Sequence, residues 1–259
     1  LVLRDLDNQN KSHEYCYVTG EFSKWQSSND YSMKRDDAAG CWWYTMTNVD
    51  SNKEYMFQYY LVNKDGSAFR IHDPYTEIVY DGSNDKYISS STYPDLPAYP
   101  KGTSGLVSAF KVNKDTYAWT STGFKIADQD NLVIYEMHFR DFTSTGDIPG
   151  ALGKLDYLSS LGVNAVELMP VQEFDGNDSW GYNPCSYFAL DKAYGTRTMY
   201  KQFIDECHAK GMAVIVDVVY NQATGAHPYA KLYWDSANNK TASNNPWFNV
   251  DAPHPYSVF

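Results

Sequence analysis

No run of about eighteen consecutive apolar residues occurs in the 259-residue sequence, so no membrane-spanning helix is expected. A surplus of positive charge is missing too. Against 21 Lys and Arg stand 32 Asp and Glu, whereas a protein that neutralises phosphates needs a basic face. That balance argues against a nucleic-acid partner and suits a neutral substrate. Cysteine is scarce: Cys16, Cys41, Cys185 and Cys207 form neither a CxxC pair nor a zinc spacing. Cys207 falls on the apolar side of a helical pattern and reads as a buried thiol, while Cys16 and Cys41 could meet across a sheet. The chain opens Leu1-Val2-Leu3-Arg4, without Met or a leader-like apolar run, which reads as a sequence whose native start lies upstream. No internal repeat is evident.

Aromatic residues are what the chain has in abundance. Tyr, Phe and Trp make up 16% of it, and the flat C–H faces of sugar rings stack on such rigid amphipathic side chains. Sheet proteins are also rich in Tyr, so composition leaves both readings open.

Two textures divide the sequence. From about Glu14 to Tyr80, short β-branched and aromatic runs (EYCYVTG, CWWYTMTNV, EYMFQYYLV, TEIVY) alternate with Asp, Asn, Ser and Gly clusters. This pattern predicts a β-sandwich over residues 1–88. Residues 89–130 read as a linker and connecting segment. From Asn131 the pattern becomes strand, helix, strand, helix, strand. Strands are expected at Leu132–Tyr135, Ala165–Met169 and Ala213–Val219, and helices at Asp147–Ser160 and Met199–Lys210. Continuous apolar strands alternating with amphipathic helices predict a covered parallel sheet over 131–259.

In such an array the chemistry collects at the carboxyl ends of the strands. There the sequence places Asp217, a carboxylate inside an apolar strand, which is costly unless a cation or several donors satisfy it. Asn221 and Gln222 follow just past that strand. The long excursion Glu173–Tyr194 carries Trp180-Gly181-Tyr182, with an aromatic on each side of a glycine, a pattern equally fit for a sugar platform or a packed loop anchor. Glu167 lies inside a strand and reads as structural.

Four segments carry a family resemblance: YEMHFRDF (Tyr135–Phe142), GVNAVELMP (Gly162–Pro170), WGYNP (Trp180–Pro184) and DVVYNQ (Asp217–Gln222). In order and spacing they resemble the α-amylase superfamily, glycoside hydrolase family 13. The nearest likeness is to its branching enzyme, isoamylase, pullulanase and trehalohydrolase subgroup. VTGEFSKWQ (Val18–Gln26) and Asp73-Pro74-Tyr75 resemble that group's immunoglobulin-like, glycogen-binding-like module, which often packs without binding sugar, so Trp25 is read as core. The resemblance implies a β-sandwich followed by the first three βα units of a TIM (β/α)8 barrel. It implies a hydrolase or transglycosylase acting on α-1,4- and α-1,6-linked glucans such as starch, glycogen or pullulan. It also implies a retaining mechanism with two carboxyl groups about 5–5.5 Å apart.

By the same resemblance Tyr182 stacks on the sugar, Asp217 orients an arginine, and Asn221 matches a position that holds calcium in many members, although the reaction requires no cofactor. Gln222 stands where the family usually has His, and Trp180 belongs to the same substrate-binding loop. The nucleophile, the acid and a stabilising Asp would follow strands four, five and seven, beyond Phe259. No catalytic residue is therefore assigned, and these residues alone are expected to be inactive. Rival readings are a catalytically weakened α-glucan-binding protein and a different sugar reaction on the same scaffold. Acidic composition and a polymeric substrate lean toward a secreted or periplasmic location.

Overall fold

The computed structural model describes residues 1–6, 12–126 and 128–251. Its first part is antiparallel. One sheet has strands β1 (Val2–Arg4), β3 (Lys34–Asp36) and β4 (Cys41–Trp43) in the order β1-β4-β3. A second is ordered β2-β5-β8-β7, from β2 (His13–Gly20), β5 (Tyr55–Asn63), β7 (Val79–Asp81) and β8 (Leu106–Phe110), with β6 (Ala68–Ile71) also on β5. The aromatic and β-branched runs fill the space between them. Leu3 and Trp42 of the first sheet share a buried cluster with Cys16, Val18, Phe57, Tyr59, Leu61 and Ile71 of the second. Trp25 is buried beside Met56, Tyr80 and Val107, as the reading of it as core requires.

β8 lies within the stretch read as a connector. Its carbonyls and amides pair with both β5 and β7, and Val107, Ser108 and Ala109 are buried. A five-residue strand between a Pro- and Gly-containing stretch and a polar one gives a weak periodic signal, and its burial on both sides comes only from its neighbours. Cys16 and Cys41 do not meet: all four cysteines are free thiols. Cys16 instead contacts the Met33 sulfur at 3.3 Å, and the two cysteines stand on strands of different sheets.

The second part holds β9 (Ile134–Met137), α1 (Phe139–Phe142), α2 (Ile148–Leu152), α3 (Leu155–Ser160), β10 (Ala165–Leu168), α4 (Arg197–Ala209) and β11 (Ala213–Val216). Strands β9, β10 and β11 form one parallel sheet in the order β11-β10-β9. The single helix expected over Asp147–Ser160 is two. Asp147 caps α2 by accepting from the Gly150 amide at 3.0 Å, α2 is capped by Gly153, and the chain leaves helical geometry at Lys154. Two glycines within six residues make a continuous helix costly, roughly 1 kcal/mol each. Leu155 and Leu158 still reach the core with Ile148 and Ala151. Helix α4 starts two residues before the expected Met199, because the Thr196 hydroxyl caps it by accepting from the Met199 amide at 3.2 Å. Tyr200, Phe203 and Cys207 are its buried apolar residues, and Asp205 is buried with them.

The last described elements are α5 (Pro228–Lys231), β12 (Trp234–Asp235) and β13 (Lys240–Thr241). They turn back on the first module, where Tyr229, Leu232 and Tyr233 enter its core. There Asp5, buried, accepts from Trp42 Nε1 at 2.8 Å and from the Tyr233 hydroxyl, and pairs with His13 at 3.0 Å. No helix among the described residues is long and apolar enough to cross a membrane.

Candidate functional site

Strand β10 ends before Pro170, which cannot donate a ladder hydrogen bond. The chain then leaves the sheet on the excursion that returns at Tyr194. Backbone bonds knit its neck: Glu173 N to Ala189 O at 2.8 Å, Cys185 N to Glu173 O at 2.9 Å and Asp191 N to Val171 O at 2.9 Å. Gln172 ties the neck to the segment after β11. Its Oε1 accepts from Val219 N at 2.6 Å, and its Nε2 donates to Tyr187 O at 3.0 Å. This side chain takes over where strand pairing stops, which explains why β11 ends at Val216 and not at the expected Val219.

At the tip, Gly181 has φ +91°. A Cβ there would lie 2.3 Å from the Pro170 carbonyl oxygen, so the turn demands glycine. The turn sends Tyr182 back over the sheet, where its hydroxyl donates to Asp217 Oδ2 at 2.8 Å. Gln222 Nε2 donates to the Tyr182 carbonyl at 2.5 Å, and the Tyr187 hydroxyl donates to the Gln222 carbonyl at 3.1 Å. Tyr182, Asp217 and Gln222 are thus brought together. Trp180 is 62% exposed and takes no part in these hydrogen bonds.

The environment of Asp217 differs from the expectation. Val216 and Val218 on either side of it are 42% and 46% exposed, and Asp217 itself is half-buried. The cost of burying a lone carboxylate therefore does not explain it; its partner is the Tyr182 hydroxyl. Burial, then Asp217, then Glu136 and Glu167 push the Tyr182 phenol up to about 12. Glu136 on β9 and Glu167 on β10 stand side by side in register. Two adjacent strands and the residue just past the third therefore bring three carboxyl groups within electrostatic reach of one tyrosine. Sequence reasoning misses Glu136 and reads Glu167 as structural, although each occupies the third position of its strand, which is the available signal. It misses His138 as well. This residue is buried, with Nδ1 3.0 Å from Asp141 Oδ2 and Nε2 2.9 Å from the Tyr194 hydroxyl, fixing the far end of the excursion.

Asn221 lines a separate 280 Å³ cavity with Tyr75, Tyr187, Phe188, Tyr220 and Trp247. Calcium takes about six to eight oxygen ligands. No group of three or more His, Cys, Asp or Glu among the described residues could hold a metal, and the aromatic surroundings of Asn221 do not fit such an ion by themselves.

An aromatic ring hydrogen-bonded to a carboxylate thus stands at the carboxyl ends of parallel strands, the end at which βα domains carry their sites. Residues 120–257 match the family model for the alpha amylase catalytic domain, and the chain belongs to that family. A malto-oligosyltrehalose trehalohydrolase from Rhizobium sp. is 36% identical over 163 residues, 62% of this chain and 27% of that protein. The 1,4-alpha-glucan branching enzyme GlgB of Photobacterium profundum is 27% identical over 210 residues, 78% of this chain and 26% of that protein. A solved Salmonella typhimurium protein assigned to the alpha amylases superposes with TM-score 0.65 at 25% identity, over 97% of this chain and 36% of that one. The catalytic module of the glycogen-degrading pneumococcal factor SpuA shares the fold, with TM-score 0.61 at 21% identity over 93% of this chain and 40% of that one. The chain spans about a quarter of the length of the curated relatives it matches.

Proposed function

We propose that this chain supplies part of the substrate cleft of a glycoside hydrolase or transglycosylase acting on α-1,4- or α-1,6-linked glucans by a retaining mechanism. In this reading the two antiparallel sheets are an immunoglobulin-like sandwich of the glycogen-binding type, and β9–β11 with their helices are the first three βα units of a (β/α)8 barrel. The observation that carries it is the Tyr182 ring, held over the carboxyl ends of β10 and β11 by its hydroxyl on Asp217 and its carbonyl on the Gln222 amide. A ring fixed at both ends offers a sugar a stacking face with little ordering cost. The relatives named for trehalohydrolase and branching activity, and the glycogen-degrading module of like fold, support a glucan as substrate.

Bond cleavage in a retaining enzyme needs a nucleophilic carboxylate and a protonated acid about 5–5.5 Å apart. We assign that pair to polypeptide outside these residues, which the quarter-length coverage of the relatives supports. Within the chain, Tyr182 stacks on the sugar, Asp217 fixes the ring and offers its remaining lone pairs to an arginine, and Gln222 sets the height of the loop. Titration of the complete protein with maltoheptaose tests this. Tyr182→Ala removes the ring, about 1–2 kcal/mol or about five- to thirtyfold in Kd, whereas Tyr182→Phe keeps most of the affinity. Unchanged affinity in the alanine variant sinks the proposal. Reducing-sugar release from glycogen, pullulan and amylose then separates branching, debranching and chain cleavage.

A further inference from the structure

The excursion that presents Tyr182 is gripped from behind by the first module. Lys192, at its neck, is buried with its Nζ 2.5 Å from Glu173 Oε1 and 3.3 Å from Asp85 Oδ1. Glu173 opens the excursion, Lys192 closes it, and Asp85 belongs to the short 3-10 turn Asp85–Tyr87 that follows β7. Asp85 is itself anchored, its Oδ2 accepting from Asp81 N at 2.9 Å. Beside this group, Asn177 Nδ2 donates to the Asn84 carbonyl at 2.8 Å. His72, buried just after β6, lies with Nε2 2.7 Å from Ser186 Oγ and 3.2 Å from the Cys185 carbonyl. Tyr75 stacks on Phe188, with ring centroids 5.5 Å apart. Four residues of the first module in or next to the 72–85 stretch thus hold the excursion at positions 177, 185–186, 188 and 192.

The charges of this group are unequal. One cation faces Glu173 and Asp85 directly, with the buried Asp191 carboxyl adjacent in the chain. Burial works against the charge on Lys192, yet the three acids hold its pKa above the ordinary range. Burial also pushes Asp191 up to about 6 and raises Glu173 and Asp85. Glu173 Oε2 has no hydrogen-bond partner among the described residues. A purely structural brace would be cheaper with apolar side chains. A buried ionic group has definite geometry, and that geometry fixes the loop against the module.

We infer that Asp85, Lys192 and Glu173 form a buried latch through which the first module positions the Tyr182 loop over the glucan, making the module a positioning element of the substrate site. This rests on the reading of Tyr182 as the sugar platform. Asp85 and Lys192 touch no substrate; they act through the neck of the loop, about ten residues from its tip by chain position. Through this contact the module acts on glucan affinity at the Tyr182 site.

The test uses Asp85→Asn in the complete protein, which keeps the shape of the side chain and removes its charge. Hydrogen exchange of residues 175–186 and maltoheptaose turnover are read together. Exchange in 175–186 is expected to accelerate while peptides from β2 and β5 stay protected. KM is expected to rise severalfold and by no more than the roughly five- to thirtyfold that removal of the Tyr182 ring costs, with little change in kcat. A folded variant with unchanged exchange in 175–186 overturns the inference. So does acceleration spread evenly through both modules, which would mark general loss of stability. If Asp85→Asn does not fold, Asp85→Ser carries the test: it withdraws the carboxylate from Lys192 while leaving the Lys192–Glu173 pair in place, and unchanged exchange and KM there overturn the inference equally. Tyr182→Ala in the same titration keeps the two ideas apart. If it leaves affinity intact the platform reading fails, while exchange still reports whether the latch positions the loop.

Discussion

Gly181→Ala perturbs the turn that delivers Tyr182, and the structure lets its cost be worked out beforehand. Two terms contribute. The residue sits at φ +91°, where any L side chain is strained, by roughly 1–2 kcal/mol. The added Cβ also falls 2.3 Å from the Pro170 carbonyl oxygen and 2.8 Å from Pro170 Cβ. Neither is the far end of a flexible side chain, so backbone must move. Gly176, in the same excursion, provides the control, because its φ is +88° and a methyl group there would meet nothing within 4 Å. Gly176→Ala therefore carries the strain alone, and the excess loss in Gly181→Ala measures the clash. For a chain of this size about 1 kcal/mol corresponds to roughly 2–4 °C in Tm. On that scale the Tm of Gly176→Ala should fall by about 2–8 °C and that of Gly181→Ala by clearly more, followed by circular dichroism on heating. Because the clash pushes Tyr182 away from Asp217, only Gly181→Ala should also weaken maltoheptaose binding. Equal Tm losses in the two variants would refute the close approach to Pro170 and with it the stated reason for glycine there.

Buried histidines should make the fold acid-sensitive. Burial pushes His227 down to about 3 and His72 well below the ordinary value, so their stabilising contribution is full above the unfolded pKa near 6.5 and is lost as pH falls toward the folded value. Each should cost up to about 1.4 kcal/mol per pH unit below 6.5, read from urea midpoints at several pH values. His227→Asn, which can still accept from the Tyr229 amide, should flatten that slope, and an unchanged slope would refute the assignment. Thiol labelling should find at most Cys41 reactive in the native state. Cys16 and Cys185 are buried with raised pKa values, and burial pushes Cys207 up to about 12; more than one fast-reacting thiol would contradict this packing. Gln222→His in the complete protein should raise turnover on α-glucan if the position contacts sugar, since one well-placed transition-state donor contributes roughly 2.7–4 kcal/mol. No change would leave Gln222 with only its structural bond to the Tyr182 carbonyl.

Periodicity serves well where burial is set by a single element. Of the i, i+3, i+4, i+7 run Tyr200, Phe203, Ile204 and Cys207, all but the half-buried Ile204 are buried in α4, and the apolar strands Ala165–Leu168 and Ala213–Val216 pair in parallel as their texture requires. Boundaries escape it where a partner from elsewhere decides them. Thr196 starts α4 with its side chain, and Gln172 captures the Val219 amide that a longer strand would have offered. β8 is illegible for the same reason, since Leu106–Phe110 becomes a strand only by lying between β5 and β7.

The candidate site divides along the same line. Tyr182, Asp217 and Gln222 stand out in the sequence because residue type and position after a strand both mark them, and their contacts join them in the structure. Glu136 and Glu167 are invisible as a pair, because registry between two strands thirty-one residues apart is a tertiary fact. Their consequence is chemical. Neither they nor Asp217 forms an ion pair within 4 Å among the described residues, yet all three raise the Tyr182 phenol. Three acids around one hydroxyl are tolerable while water reaches them. If further polypeptide covers this face, their repulsion grows as the dielectric falls. A cation must then enter the site, and an arginine, with donors enough to bridge two carboxylates, is the side chain suited to that place.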